Sequence, residues 1–139
     1  MKKTTLISTI LALFLVAVTA SACELSEKTA DGYENASLEH AYQHWKQGKN
    51  SPVPFAFLDV RTPQEFAEGH VPGAINIPVQ VLADRLSEVP KNKRLYVYCR
   101  SGKRSTVASE LLAKAGFSQV ENVRASMNGW SAASYPIEK

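Results

Sequence analysis

The sequence predicts an α/β domain built on a largely parallel sheet. Short apolar runs typical of buried parallel strands alternate along the chain with segments of helical periodicity. Turn and capping residues separate each segment from the next. The 139 residues suit one domain, and the 45% hydrophobic and 21% charged residues exclude a disordered or collagen-like chain.

The first helix and strand are separated by a loop rich in polar residues and proline. Ser37 is the expected N-cap of a helix over residues 38–47, with apolar side chains on one face. Gly48 ends that helix. The continuous apolar run 55–60 then predicts a buried parallel strand.

A capping pattern marks the second helix. Thr62 and Glu65 stand three residues apart with Pro63 between them, at the first helical position. We expect a short helix from there to about Gly69. A short strand follows at 74–77, between two turn signals.

The second half of the domain continues the alternation. Apolar residues at helical spacing predict a helix over 81–89, and the run 94–98 predicts the next strand. The segment 105–115 is amphipathic and is followed by Gly116 as its C-terminal cap. A last short strand is expected at 120–123.

The first 22 residues have the pattern of a signal peptide. Two lysines precede an uncharged apolar run at 6–19, shorter than the roughly 20 residues of a membrane span. Ala20-Ser21-Ala22-Cys23 resembles the lipobox of bacterial lipoproteins, although that family usually has Leu where Ala20 stands. We expect export to the periplasm or cell envelope, with a membrane tether through lipidated Cys23. Ordinary cleavage after Ala22 and an uncleaved anchor are the alternatives.

The mature chain is divided into a tether and a domain. Residues 23–36 are polar and lack an apolar period, which predicts a tether ahead of a domain at 37–139. The formal charge of +3 falls to +1 without the two N-terminal lysines, since fourteen cations then face thirteen acidic residues. This balance argues against nucleic acid as a partner, because a nucleic-acid binder needs a basic face.

Cys99 is the residue that most needs an explanation. It is the one thiol left once Cys23 is removed or acylated, so the mature domain has no internal disulfide. It lies between a strand and a helix, where the helix directs free N–H groups and its positive dipole end toward the loop. Three cations follow within five residues: Arg100, Lys103 and Arg104. The pattern predicts a nucleophilic thiolate of lowered pKa at the base of an anion cradle.

Three motifs in the same order resemble the single-domain rhodanese family, which is thiosulfate sulfurtransferase-like. They are the segments 58–66 (LDVRTPQEF), 69–78 (GHVPGAINIP) and 98–105 (YCRSGKRS). The resemblance runs from about Ser37 to Pro136. It implies a three-layer domain with a central, largely parallel five-stranded sheet flanked by helices. One departure is Ala125-Ser126 ahead of Met127, where the family often has two glycines; a turn with positive φ would be strained here.

The resemblance also implies a sulfurtransferase mechanism. Cys99 attacks the outer sulfur of a small anionic donor such as thiosulfate and becomes a persulfide, which cyanide, a thiol or a protein then accepts. The implied substrate-binding residues are those of the loop: Arg100, Ser101, Gly102, Lys103 and Arg104. Asp59 and Arg61 are expected to form a supporting ion pair that is mainly structural. No cofactor is implied, and the three histidines have no ligand set that predicts a metal site.

Two other functions stay open. An envelope sulfur-carrier or redox-sensing module needs the same cysteine, so the sequence does not separate it from an enzyme. A cysteine phosphatase or arsenate reductase on the same fold is less favoured. Four residues separate Cys99 from Arg104, whereas the related cell-cycle phosphatases have five in a loop wide enough for a tetrahedral oxyanion.

Overall fold

A computed structural model describes residues 26–139, so the predicted signal peptide and Cys23 lie outside the described residues. Within this range one sheet has six strands: β1 Glu27–Lys28, β2 Glu34–Ala36, β3 Phe55–Asp59, β4 Ile75–Asn76, β5 Arg94–Tyr98 and β6 Val120–Val123. The α-helices are α1 Leu38–Gln47, α2 Pro63–Glu68, α3 Lys103–Lys114 and α4 Ser126–Ala132. The strand order is β1-β2-β6-β5-β3-β4, and all neighbours are parallel except β1 and β2. The predicted α/β class with a largely parallel sheet is confirmed.

The two faces of the sheet carry separate hydrophobic cores, which produces three layers. Along β5, Leu95 and Val97 pack with α3, while Tyr96 and Tyr98 pack with α1 and α4. This alternation follows from the two-residue period of a strand. Cys99 continues the α3-facing series, so the position of its sulfur is set by the register of β5.

The sheet has one strand more than the five expected, and the described part of the predicted tether contributes to it. Residues 26–36 form a hairpin in which β2 adds in parallel to the edge of β6. Tyr33 and Ala36 are the buried anchors of this hairpin. Two anchors are too few for an apolar period, and the pairing is made by main-chain hydrogen bonds that the sequence pattern does not reveal.

The helix expected over 81–89 is also different. The segment Leu82–Glu88 forms two short 3-10 turns that meet at Arg85, whose φ of −115° is not helical. Leu82 and Val89 are buried as expected. Val81, at the N-cap position, provides no side-chain cap, so the apolar spacing fixes which side chains point inward without fixing an α-helix. The capped helices α1 and α2 begin where predicted.

The described part of the chain contains no helix long and apolar enough to cross a membrane. Over the same residues, no group of three or more His, Cys, Asp or Glu side chains has an arrangement suited to a metal ion.

A buried carboxylate lies near the amino ends of β5 and β6, far from Cys99 along both strands. Glu121 is 3% exposed and forms an ion pair with Arg94, with 3.0 Å between Nε of Arg94 and Oε1 of Glu121. Its Oε2 lies 3.4 Å from Nε2 of His40. Burial raises the pKa of Glu121 to about 7, although Arg94 acts in the opposite direction. Burial also lowers the pKa of His40, so neither group favours its charged form.

We expect Glu121→Gln to gain stability relative to the wild type as the pH rises from 5 to 8. The pKa of Glu121 is higher in the folded state than in the unfolded state, where it is near 4.3, so the native state binds the proton more tightly. The resulting contribution to the stability of the wild type is lost as the pH rises through 7, and Glu121→Gln has no such loss. The difference in free energy of unfolding should change by about 2 kcal/mol over this range, measured by urea denaturation at each pH. Glu88→Gln, at an exposed position, is the control. Parallel pH profiles for the wild type and Glu121→Gln would contradict a protonated buried Glu121.

Candidate active site

Cys99 follows the last residue of β5, and its side chain is 1% exposed. The chain then turns back through Gly102, and α3 begins at Lys103. This strand-turn-helix geometry brings the sulfur to the N-terminal end of α3. The main chain of Cys99 is fixed as well, since its carbonyl accepts the N–H of Met127 at 3.0 Å.

The sulfur of Cys99 occupies the place that a capping side chain usually fills. α3 has no side-chain N-cap. The N–H of Gly102 points at Sγ with an N to S distance of 3.1 Å, and the hydroxyl of Ser105 lies 3.7 Å from Sγ. Burial alone would raise the pKa of the thiol. The main-chain N–H groups of Ser105, Gly102 and Ser101, with the Ser105 hydroxyl, outweigh it and lower the pKa below its ordinary value. The direction agrees with the expectation of an activated thiolate.

Gly102 is indispensable to this turn. Its φ is +95°, in the left-handed region that favours glycine. A Cβ added here would lie 2.5 Å from the carbonyl oxygen of Arg124. The carbonyl closes the outer side of the turn, so the main chain of residue 102 can face the sulfur only if the residue has no side chain.

The three loop cations do not converge on the sulfur. Arg104 turns toward α2 and forms a two-pronged ion pair with Glu65, with distances of 2.7 and 2.8 Å. Arg104 lowers the pKa of Glu65 to about 2, with added hydrogen bonds from Thr62. Arg100 and Lys103 line two different hollows. The hydrogen bonds that lower the thiol pKa therefore come from the loop amides and Ser105.

The hollow beside Arg100 has a volume of about 490 Å³ and a mixed lining that includes Arg61, Met127 and Asn128. In the part of the chain that the structure describes, no carboxylate lies within ion-pair distance of Arg100 or Lys103. Lys103 lines the second hollow, of about 420 Å³, with Ser101 and Arg124. A small anion that enters the first hollow therefore meets the unpaired guanidinium of Arg100.

Asp59 and Arg61 form the expected ion pair at the end of β3. Nη2 and Nε of Arg61 donate to the Asp59 carboxylate at 2.6 and 3.0 Å, and the carboxylate is fully buried. Nη2 of Arg61 also donates to the carbonyl of Gly69 at 2.7 Å. The side chain of Asn76 donates to the main-chain carbonyls of Asp59 and Arg61. The pair thus fixes the wall of the hollow that Arg61 shares with Arg100.

Sequence reasoning missed the site roles of Glu65 and Ser126. The sequence predicts only a capping box for Glu65, and that box does form, yet the same carboxylate also pairs with Arg104. Ser126 has a φ of +52°, whereas Ala125 has an ordinary helical φ of −66°. The strain anticipated for Ala125-Ser126 therefore falls on Ser126 alone. Two signals were present in the sequence. The carboxylate of a capping glutamate such as Glu65 can accept further hydrogen bonds, and Ser126 stands at a position where the family often has glycine.

Gly102→Ala should disrupt the cysteine loop. Left-handed strain and the contact with the Arg124 carbonyl should together lower the free energy of unfolding by about 3 kcal/mol. The sulfur should also lose its amide contact, which an iodoacetamide titration would detect as a higher pKa of Cys99. Gly116→Ala is the matched control: its φ is +90° but the space around it is open, so it should cost only about 1 kcal/mol and leave Cys99 unchanged. Equal effects of the two substitutions on Cys99 would contradict this account of Gly102.

Comparison with known proteins identifies the family. Residues 29–133 match the model of the rhodanese-like domain. A sulfurtransferase of Allochromatium vinosum is 39% identical over 80 residues, which cover 58% of this chain and 75% of that protein. The thiosulfate sulfurtransferase PspE of Escherichia coli is 43% identical over 68 residues, 48% of this chain and 65% of that protein. A crystal structure of a rhodanese-related protein from Thermoplasma volcanium aligns with a TM-score of 0.66 at 27% identity, covering 75% of this chain and 96% of that one. This chain belongs to the rhodanese-like domain family, with sulfurtransferases among its relatives.

Proposed function

We propose that the protein is a sulfurtransferase that carries sulfane sulfur from a thiosulfate-like donor to a thiophilic acceptor as a persulfide on Cys99. The observation that carries the proposal is the contact of 3.1 Å between the Gly102 N–H and Sγ. The Gly102 N–H is one of several loop amides that stabilise a sulfur anion at the start of α3. The sulfurtransferase relatives support the same reaction class.

The first half-reaction loads the enzyme. The Cys99 thiolate attacks the outer sulfur of thiosulfate, a new S–S bond forms, and the bond to the sulfonate sulfur breaks. Sulfite leaves with the electron pair of that bond, and the enzyme is left as a persulfide with one negative charge. No proton is needed, because the two charges of thiosulfate leave on sulfite, and no external oxidant is needed, because the outer sulfur is already at the oxidation level of sulfane sulfur.

The second half-reaction discharges the enzyme. An acceptor nucleophile such as cyanide or a thiolate attacks the outer sulfur of the persulfide, and Cys99 leaves as its thiolate. The amides that favour a charged Sγ act here on the leaving group, and a thiol of lowered pKa leaves faster. The same groups therefore assist the cysteine as nucleophile and as leaving group.

Recognition of the donor is assigned to Arg100. Arg61 and Arg104 have carboxylate partners, whereas Arg100 is exposed and faces the larger hollow. An incoming dianion gains from a cation that does not have to give up a partner first. Lys103 faces the other hollow and has a smaller part in this step.

The closed loop disfavours a cysteine phosphatase or arsenate reductase. The Gly102 N–H already touches Sγ, and Arg104 is paired with Glu65, so a tetrahedral oxyanion would require the loop to open. The sulfur-carrier and redox-sensing alternatives use the same persulfide or thiolate and differ from the enzyme only in turnover.

We also propose a cell-envelope location with a lipid tether on Cys23, supported only by the pattern of residues 1–23.

Incubation with thiosulfate should add the mass of one sulfur atom to the wild-type domain and none to Cys99→Ser. The wild type should also form thiocyanate from cyanide over many turnovers, and the variant should lose this activity. Intact-protein mass spectrometry and a colorimetric thiocyanate assay measure the two results. A wild type that takes up sulfur but does not turn over would favour the carrier, and one that does neither would refute the proposal.

Arg100→Ala should raise the KM for thiosulfate about tenfold and change kcat little. One charge-assisted contact to an anion contributes about 1.5 kcal/mol, and the substitution leaves the amides around Sγ in place. Lys103→Ala is the matched control, because it removes one exposed cation of the same loop on the side of the other hollow. Equal increases in KM for both variants would show that general attraction, rather than Arg100, selects the donor.

A further inference from the structure

Ser126 keeps a side chain where the main chain favours glycine. Its φ is +52°, and in the part of the chain that the structure describes only Ser134 is another non-glycine residue with positive φ. Ser134 is exposed, whereas Ser126 is 1% exposed and lies beside the cysteine loop. Backbone strain persists only where other contacts compensate for it, and the buried hydroxyl of Ser126 makes such contacts.

The hydroxyl of Ser126 connects the ends of β5 and β6. It accepts the main-chain N–H of Cys99 at 3.1 Å and donates to the carbonyl of Val123 at 2.8 Å. Among residues 26–139 the Cys99 N–H donates no other hydrogen bond. The Ser126 oxygen also lies 3.8 Å from Sγ, within reach of a hydrogen bond to sulfur. One hydroxyl proton therefore has two acceptors, a neutral carbonyl and the reacting sulfur.

The preference between these acceptors changes during the reaction. In the persulfide the negative charge is on the outer sulfur, and Sγ is a poor acceptor. When an acceptor molecule removes the outer sulfur, Sγ becomes anionic and competes better than a neutral carbonyl for the proton, because charge-assisted hydrogen bonds are stronger. Rotation about the Cβ–Oγ bond moves the proton without any shift of the main chain.

We propose that Ser126 is a positioning residue for discharge of the persulfide: its hydroxyl holds the Cys99 main chain and turns its proton toward Sγ as Cys99 leaves. This inference rests on the proposed sulfurtransferase function. The proposed role of the hydroxyl affects the two half-reactions differently. At a pH above the Cys99 pKa, loading begins with a thiolate that has already formed, and weaker stabilisation of that thiolate makes it no poorer a nucleophile. Discharge creates the thiolate, so the loss of a donor acts on this step.

The test compares Ser126→Gly and Ser126→Ala in single-turnover experiments. Both variants lack the hydroxyl; in the glycine variant the relief of main-chain strain offsets the lost hydrogen bonds, so it should be about as stable as the wild type. Protein loaded with thiosulfate is freed of donor and mixed with cyanide, and thiocyanate is followed by rapid quench. At a pH at least one unit above the Cys99 pKa of both variants, where the thiolate is fully formed, we expect both to discharge about three- to tenfold more slowly than the wild type and to load within a factor of two of it.

The control is Ser134→Gly, which relieves a left-handed serine away from the sulfur. It should raise the Tm and change neither half-reaction. A merely structural role for Ser126 predicts that Ser126→Gly, with its relaxed main chain, discharges like the wild type; that result would overturn the proposal. Equal slowing of loading and discharge would overturn it as well.

A second readout does not depend on any sulfur donor. The rate of alkylation of Cys99 by iodoacetamide as a function of pH should give a pKa about one unit higher in both variants than in the wild type. An unchanged pKa in both would overturn the role of the hydroxyl. If the wild type takes no sulfur from thiosulfate, the proposed function fails, and the alkylation profile still decides whether Ser126 stabilises the sulfur anion.

Discussion

The contact between Sγ of Cys99 and the start of α3 joins the stability of the fold to the reactivity of the thiol. A helix leaves its first N–H groups without intrahelical partners, and α3 has no capping side chain to satisfy them. The sulfur, brought there by β5, accepts the Gly102 N–H. An anionic sulfur satisfies these groups better than a neutral thiol, so the helix end and the thiolate stabilise each other.

Amide stabilisation leaves the arginines available for other tasks. Arg104 connects α3 to α2 through Glu65, and Arg61 fixes the end of β3 through Asp59. Buried or half-buried pairs of this kind contribute less to stability than their geometry suggests, because both charges lose water. They do set the positions of the surrounding walls. Among the described residues Arg100 has no carboxylate within ion-pair distance, so its charge stays available for a ligand.

The sequence predicts well whatever is local. Helix starts at Ser37 and Thr62 depend on neighbouring residues, and the apolar runs of β3 and β5 reflect burial on both faces. It predicts less well what depends on distant partners. The β1–β2 hairpin is held by the edge of β6, Arg104 is directed by a carboxylate 39 residues away, and the Ser126 hydroxyl reaches back 27 residues to Cys99. These contacts are made by main-chain or long polar groups that leave no periodic pattern.

Two left-handed residues act on the cysteine loop, and they solve opposite problems. Gly102 must lack a side chain, because the Arg124 carbonyl occupies the space where a Cβ would stand. Ser126 uses its side chain, since the hydroxyl accepts the buried N–H of Cys99. Its strain costs about 1–2 kcal/mol, and two net hydrogen bonds contribute about the same amount. A serine is thus nearly neutral for stability in a position that favours glycine. What distinguishes serine from glycine at this position is the hydroxyl proton that it places beside Sγ. This proton stabilises the Cys99 thiolate during the reaction and adds little to the stability of the fold.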